Sequence, residues 1–321
     1  MNCESWGRSK IIKQILSALF YAVASLLLTL VNKALLTQYE FPSVLFVSLG
    51  QMITLILVIL FARLFSIIKI PPCSMKTLKS IWPLPLFYFT NLSLGLLGTG
   101  SLNLPMFTVL RRYTILFTMI LESIILTKRI HVMVQISVSV MILGAVIAAI
   151  NDFTFNFIGY FAVLINNLSS ALNGVYTKKK IETKELGIFG LMFYNALVMT
   201  IPAILLTSYQ GDFNNALNYS GWSDYYSTMC FMASCVLGIV LVYSTMLCTK
   251  YNTALATSII GCLKNTFVTY YGMSYGGEYH FTLANFWGIN ISVFGSLMYV
   301  YAKYLDRKEI LEKSSAKTSI I

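Results

Sequence analysis

Residues 41–62 read FPSVLFVSLGQMITLILVILFA, a stretch that contains no Asp, Glu, Lys or Arg. A helix of about 20 residues spans roughly 30 Å, which is the thickness of the hydrocarbon core of a bilayer. Apolar blocks of similar length recur along the chain of 321 residues. This recurrence predicts an all-α, polytopic membrane protein.

The composition excludes several classes of protein. Hydrophobic residues make up 57% of the chain and charged residues 11%, with a mean hydropathy of +0.73, whereas soluble domains are about 25% charged. A soluble enzyme, a disordered chain and a disulfide scaffold are therefore excluded. The net charge is +11, but the basic residues lie mostly between the apolar blocks, where they set the orientation of the chain in the membrane. No nucleic-acid partner is therefore predicted. The lipid bilayer is the expected surrounding.

An apolar window predicts ten transmembrane spans. The connections around residues 98–100 and 250–252 are short, so nine spans are the alternative. The ten expected spans are residues 11–31, 41–62, 81–99, 104–126, 132–150, 157–177, 187–208, 226–249, 253–273 and 283–303.

The distribution of basic residues favours ten spans. With a cytosolic N-terminus, 19 of the 23 Lys and Arg residues fall in cytosolic segments, and only Lys33 falls in a loop on the other side. Cytosolic segments carry an excess of Lys and Arg, and one missed span would exchange the two sides downstream. We therefore predict that both termini and residues 178–184 are cytosolic, and that residues 209–225 are lumenal.

Four charged residues lie inside predicted spans: Arg111, Arg112, Glu122 and Lys264. A charge in hydrocarbon costs at least about 2.5 kcal/mol, so such residues usually face a polar cavity or a partner. Glu122 lies close to the cytosolic end of its span, and extension of its side chain toward water is the simpler interpretation. Lys264 lies near the middle of its span, too far from either surface for that explanation.

An internal repeat relates two of these sites. Residues 110–114, LRRYT, align with residues 263–267, LKNTF, at an offset of 153 residues. Repeats of five spans have opposite orientations in the membrane, an architecture of transporters whose substrate site lies near the midplane. The predicted organisation is a first repeat at residues 1–150, an inverted second repeat at 151–303 and a cytosolic tail at 304–321.

The excess of intramembrane positive charge predicts an anionic substrate. Three cations and at most one carboxylate leave at least two charges for a dianion, and Arg and Lys suit a phosphate ester or a diphosphate. Arg111 and Arg112 are about 100° apart on a helix. The repeat favours Arg111 as the residue that faces the cavity, and Arg112 stays the alternative.

Polar and aromatic residues in other spans could complete a nucleotide site. An amide side chain can bond a base edge, and a tyrosine can stack on a ring. No GxxxxGK[ST], HExxH or GxSxG motif occurs, and the chain has two histidines, so no enzyme activity, metal or cofactor is predicted. The candidate residues are Tyr21, Asn166, Asn167, Tyr194 and Asn195.

Four segments carry a family resemblance: LPMFTVLRRYTILFTMILE (104–122), GLMFYNA (190–196), GCLKNTFVTYYGM (261–273) and ANFWGINISVFGS (284–296). They resemble the nucleotide-sugar transporters of the drug/metabolite transporter superfamily, and most of all the animal branch for UDP-glucuronate, UDP-N-acetylglucosamine and UDP-N-acetylgalactosamine. The resemblance implies a ten-helix fold, residence in the Golgi or endoplasmic reticulum membrane, and exchange of a cytosolic UDP-sugar for lumenal UMP. The resemblance leaves three alternatives open. The membrane is that of the Golgi or of the endoplasmic reticulum, the sugar is any of the three, and the protein is a monomer or a homodimer.

The resemblance also implies which positions line the site. GDP-mannose transporters carry FYNN and GALNK, whereas this chain has FYNA at 193–196 and GCLKN at 261–265, which argues against GDP-mannose. A sugar-phosphate or other organic-anion carrier of the same fold is the alternative. A membrane-embedded transferase or scaffold is a third hypothesis, weakened because the lumenal acidic residues are scattered among separate loops. The implied site residues are Tyr21, Tyr194, Asn195, Gly261, Lys264 and Asn265.

Overall fold

The structure, a computed structural model, describes residues 3–101, 107, 110–149, 157–275 and 283–318. These residues form twelve α-helices, a π-helix at Ala34–Gln38, a 3-10 helix at Ser220–Ser223 and connecting turns, and no strand occurs among them. The twelve helices are α1 (Cys3–Lys33), α2 (Val44–Leu64), α3 (Met75–Ile81), α4 (Leu84–Ser101), α5 (Tyr113–Ile125), α6 (Val132–Ala149), α7 (Phe157–Thr183), α8 (Gly187–Tyr209), α9 (Asp212–Leu217), α10 (Tyr225–Tyr251), α11 (Ala254–Tyr275) and α12 (Leu283–Thr318).

The helices agree with the predicted spans. Each of the ten predicted spans overlaps a helix of 13 residues or more, while α3 and α9 are shorter helices in the connections. Four segments are long and apolar enough to cross a bilayer. The all-α prediction is confirmed for the described residues, and these four segments support a polytopic membrane protein. The count of ten stays a prediction. The four segments are Ile11–Gln38, Val44–Leu64, Gly187–Tyr209 and Tyr225–Tyr251.

Two boundaries differ most from the predicted ones. In the fourth span, expected at 104–126, the regular helix α5 begins only at Tyr113, after a turn at Arg111 and Arg112. Residues 102–106, 108 and 109 lie outside the described residues. The last helix, α12, continues through Thr318, so most of the predicted tail extends this helix.

The chain forms two compact units. Unit 1 comprises Met1–Thr90 and Tyr176–Thr257, and unit 2 comprises Asn91–Val175 and Ser258–Ile321. Each unit contains residues from both predicted repeats, and the chain passes between the units within α4, α7 and α11. The division into repeats at residue 150 stays a prediction.

In unit 1, α10 packs against α1 and α2, and α2 packs against α8. Ser43 caps the start of α2 by accepting a hydrogen bond from the Phe46 amide at 3.0 Å, and its hydroxyl donates to the Asp212 carboxylate at 2.7 Å. Large apolar side chains on the outer faces stay exposed, among them Leu57 and Leu205. An apolar helix surface of this kind suits contact with lipid.

In unit 2, α6 and α12 pack with close approach of their backbones. A Cβ atom on Gly144 would lie 2.5 Å from the Gly288 carbonyl oxygen, so only glycine fits at this contact. The hydroxyl of Ser292 donates to the Met141 carbonyl at 3.1 Å. In a bilayer the hydrophobic effect does not drive helices together, so close van der Waals packing between small residues of this kind stabilises their association.

Candidate functional site

The three basic residues predicted inside spans belong to unit 2. Arg111 and Arg112 form the turn before α5, and Lys264 lies at the middle of α11. Arg112 contacts the hydroxyl of Thr266, two residues after Lys264 on α11, which brings the arginines and Lys264 into neighbouring segments. We call Arg111, Arg112 and Lys264 the basic cluster.

The two arginines contact different helices. Arg111 is half-buried, its guanidinium carbon lies 5.7 Å from the centre of the Phe107 ring, and Nη2 lies 3.4 Å from the Ser170 hydroxyl on α7. Arg112 is only 5% exposed, and its Nη2 lies 3.4 Å from the Thr266 hydroxyl on α11. The greater exposure of Arg111 supports its choice as the residue that faces a ligand, which stays a prediction.

Two contacts show that α5 and α11 are antiparallel neighbours. Arg112 at the start of α5 meets Thr266, and Thr118, further along α5, lies 3.2 Å from Ser258, earlier in α11. Lys264 lies between these two contacts in α11. The amino-terminal end of a helix carries partial positive charge, so the start of α5 adds to the positive potential of the basic cluster. Such an arrangement suits an anionic group such as phosphate.

Residues Gly261, Lys264 and Asn265 share one side of α11, because residues three and four apart on a helix are neighbours. All three are half-buried. The predicted site residues of this segment are therefore compatible with contact to a single ligand.

The two predicted asparagines of α7 are buried in unit 2 and differ in their partners. Asn166 donates to the Asn91 carbonyl at 2.7 Å, and its Oδ1 has no hydrogen-bond partner among the described residues. Asn167 donates to the Leu110 carbonyl at 2.8 Å and accepts from the Thr114 hydroxyl at 2.9 Å. Asn166 thus retains an unused acceptor, whereas Asn167 is engaged through both amide atoms.

The remaining predicted residues belong to unit 1. Tyr194 is fully buried in the core, and its hydroxyl donates to the Pro71 carbonyl at 2.6 Å. Asn195 is half-buried, and its Oδ1 has no hydrogen-bond partner within the described part of the chain. Tyr21 is half-buried on α1. In this conformation Tyr194 stabilises the core of unit 1, and substrate contact by these three residues stays a prediction.

Glu122 does not extend toward water, which corrects the interpretation drawn from its position in the sequence. Its side chain is buried in unit 2, and Oε1 lies 3.9 Å from the Lys128 ammonium. The pairing with a flanking lysine explains how the carboxylate is accommodated.

Lys178 is buried, although it belongs to the segment 178–184 that the sequence predicts to be cytosolic. It is 6% exposed, and its ammonium donates to the carbonyls of Thr249 at 2.8 Å, Lys250 at 3.0 Å and Asn252 at 2.8 Å. These carbonyls lie at the end of α10, so the charge compensates the negative end of that helix. Its place in a run of three lysines at 178–180 gave no signal that distinguished it.

Among the described residues, no group of three or more His, Cys, Asp or Glu side chains could hold a metal ion.

Known proteins resemble this chain over most of its length. Residues 12–300 match the Triose-phosphate Transporter family. The UDP-sugar transporter sqv-7 of Caenorhabditis elegans is 49% identical over 94% of this chain and 92% of its own. The nucleotide sugar transporter SLC35D2 of Homo sapiens is 46% identical over 90% of this chain and 86% of its own.

A solved crystal structure shares the fold. It is 12% identical in sequence and aligns with a TM-score of 0.63 over 92% of this chain and 98% of its own. The match along the chain and the two relatives together show that this protein belongs to the nucleotide-sugar transporters of the Triose-phosphate Transporter family.

Proposed function

We propose that this protein exchanges a cytosolic UDP-sugar for lumenal UMP across the Golgi or endoplasmic reticulum membrane. The observation that carries the proposal is the basic cluster in unit 2, beside the positive end of α5. Two relatives support the UDP-sugar class by what they are called, a UDP-sugar transporter and a nucleotide sugar transporter. UDP-glucuronate, UDP-N-acetylglucosamine and UDP-N-acetylgalactosamine are the proposed substrates.

Nine of the ten predicted site residues have a proposed role toward the ligand, and Asn167 is excepted because both of its amide atoms bond protein groups. Arg111 and Lys264 bind the phosphates, Arg112 adds positive potential, and the unused acceptors of Asn166 and Asn195 bind polar groups of the nucleotide. Tyr21 and Tyr194 contact the base or the ribose in a conformation that admits substrate, and Gly261 and Asn265 line the site beside Lys264.

Exchange follows from the charge of the site. An empty site keeps the positive charges of Arg111, Arg112 and Lys264 in a medium of low dielectric constant, so we expect its reorientation across the membrane to be slow. A bound UDP-sugar or UMP supplies about two negative charges and removes this barrier. UDP-glucuronate carries one carboxylate more, so its exchange for UMP moves charge or requires a proton.

The proposed architecture has ten transmembrane helices in two inverted five-helix repeats, with both termini cytosolic. An epitope placed at residues 214–215, in the predicted lumenal loop, should stay protected when only the plasma membrane is permeabilised. The same epitope at the C-terminus should be accessible. Labelling of the loop epitope under that condition would overturn the orientation.

Counterflow into proteoliposomes tests the proposed activity. Labelled UDP-N-acetylglucosamine should enter rapidly only when the vesicles contain UMP. Unlabelled UDP-, GDP- and CMP-sugars and a triose phosphate serve as competitors, and only UDP-linked compounds should compete. Competition by the triose phosphate alone would favour the sugar-phosphate carrier. Equal uptake into empty vesicles would contradict the electrostatic explanation of exchange.

A further inference from the structure

The hydrogen-bond pattern of the fourth span changes at the two arginines. The Arg111 amide donates to the Phe107 carbonyl at 3.0 Å, which is the ordinary α-helical bond to the fourth residue back. The Thr114 amide, however, donates to the Arg111 carbonyl at 3.1 Å, and the Ile115 amide donates to Arg112 at 3.0 Å. Both bonds reach only three residues back, so the α-helical pattern is interrupted at residues 111–112.

The interruption deprives the Leu110 carbonyl of its usual helical donor, the Thr114 amide. A buried carbonyl in a membrane segment needs another donor. Asn167 on α7 supplies it, because its Nδ2 donates to the Leu110 oxygen at 2.8 Å. The Oδ1 atom of the same amide accepts from the Thr114 hydroxyl at 2.9 Å. One side chain therefore bonds both sides of the interruption.

The interruption sets where the arginines point. Each residue of a regular α-helix turns the next side chain by about 100°, so closing the interruption would rotate Arg111 and Arg112 relative to α5. In the observed geometry Arg111 lies beside Ser170 and Arg112 beside Thr266. Ser170 is itself held, since its hydroxyl donates to Asn91 Oδ1 at 2.5 Å.

We propose that Asn167 is a positioning residue that holds this interruption open and thereby directs Arg111 toward the transported anion. The inference rests on the proposed function and makes it more specific. Asn167 is 1% exposed and both of its amide atoms are engaged, so it acts through the backbone and not by touching the ligand. Asn167 is not one of the site residues that the family resemblance implies.

The test measures binding of labelled UMP to the purified full-length protein in detergent. Arg111→Ala is expected to weaken binding about tenfold, because a charged hydrogen bond is lost. Asn167→Leu fills similar volume without donating or accepting, and should weaken binding by about five- to tenfold. The double variant should bind within about twofold of Arg111→Ala, because two substitutions that act through one contact are not additive.

Two milder variants guard against misfolding. Thr114→Val keeps the shape of the side chain and removes only the hydroxyl that Asn167 accepts from, so it should weaken UMP binding less than Asn167→Leu. Thr114→Ser should restore the wild-type value. Ser292→Ala, which removes a buried bond from side chain to carbonyl between α6 and α12, should lower thermal stability and leave UMP binding unchanged.

The outcomes separate the two proposals. Wild-type UMP binding in both Asn167→Leu and Thr114→Val would overturn the role of Asn167 while the proposed function stands. If the loss of UMP affinity in the double variant equals the product of the two single losses, the positioning role of Asn167 would also be overturned, since Asn167 would then act independently of Arg111. If the wild-type protein does not bind UMP, or if Arg111→Ala binds it normally, the proposed site is wrong and this inference falls with it.

Discussion

Two buried cationic sites, one in each unit, differ in what surrounds the charge. In unit 1, Lys178 uses its three N–H donors on three carbonyls at the carboxyl end of α10, with Glu182 Oε1 3.6 Å away. In unit 2, Arg112 is equally buried but stands at the amino end of α5, and the oxygen beside its Nη2 is the uncharged hydroxyl of Thr266.

The helix dipole explains why the two sites differ electrostatically. A cation at the carboxyl end of a helix is stabilised, whereas a cation at the amino end adds to positive potential that is already present. The Lys178 site is therefore electrostatically complete without a ligand. The basic cluster instead places cations at the positive end of a helix, where the proposed anion would be stabilised, so burial alone does not mark a functional cation.

The strongest test of this contrast is removal of a charge from the basic cluster. Lys264→Ala should lower the rate of exchange by about ten- to a hundredfold, because a charged hydrogen bond contributes about 1.5–3 kcal/mol. Proteoliposome counterflow measures the rate, and Lys264→Arg, which keeps the charge, should retain part of it. Lys250→Ala, at the exposed end of α10, is the matched control. Normal exchange by well-folded Lys264→Ala protein would remove Lys264 from the site.

Substitution of the buried Lys178 should lower the stability of the fold and leave UMP binding nearly unchanged. Lys178→Met leaves three carbonyls without their donor, and a loss of about 2–4 kcal/mol in unfolding free energy is expected. UMP affinity of the protein that remains folded should stay within about twofold of the wild type. Thermal unfolding and UMP binding are measured on the same preparations.

The neighbouring Lys179 is exposed, so Lys179→Ala is the control for Lys178→Met and should leave both quantities unchanged. A large loss of UMP affinity in stably folded Lys178→Met protein would break the distinction between the two cationic sites.

The sequence could predict the helices and the basic cluster for one physical reason, which is that the bilayer leaves few alternatives. Apolar blocks of membrane length must be helical, and Arg111 and Lys264 stand out because charge is rare inside such blocks. Lys178 could not be distinguished from Lys179 and Lys180, since its role depends on α10, about 70 residues further along the chain.

The interruption at residues 111–112 was equally hidden from the sequence. No proline or glycine marks it, and the bond that satisfies Leu110 comes from Asn167 on another helix. Asn166 and Asn167 are identical residues in neighbouring positions, and only tertiary contacts leave the Oδ1 atom of Asn166 without a partner while both amide atoms of Asn167 are bonded.

A substitution that disturbs the packing of unit 2 without changing its charge tests whether UMP affinity depends on packing or on charge. A Cβ atom on Gly144 would lie 2.5 Å from the Gly288 carbonyl oxygen, so Gly144→Ala should destabilise the protein by about 1–3 kcal/mol. UMP affinity should change little, because the basic cluster keeps its charges. The control is Gly174→Ala, where a Cβ atom meets nothing within 4 Å; this variant should be neutral or slightly stabilising. A loss of affinity as large as that of Arg111→Ala would mean that packing, and not charge, governs the site.

The smallest effect is expected from the buried carboxylate. Glu122 lies ten residues after Arg112, about 15 Å along a helix, and pairs at 3.9 Å with Lys128, whose side chain is 39% exposed. Glu122→Gln keeps the shape of the side chain, and loss of this loose pair should cost no more than about 1 kcal/mol. The exchange rate for UDP-N-acetylglucosamine should stay within about twofold of the wild type. Because Glu122 is too far along the helix from Arg112 for a direct ion pair, its neutralisation leaves the charges of the basic cluster unchanged. A marked change in the pH dependence of exchange would contradict this, since Glu122 would then take up a proton during transport and belong to the site.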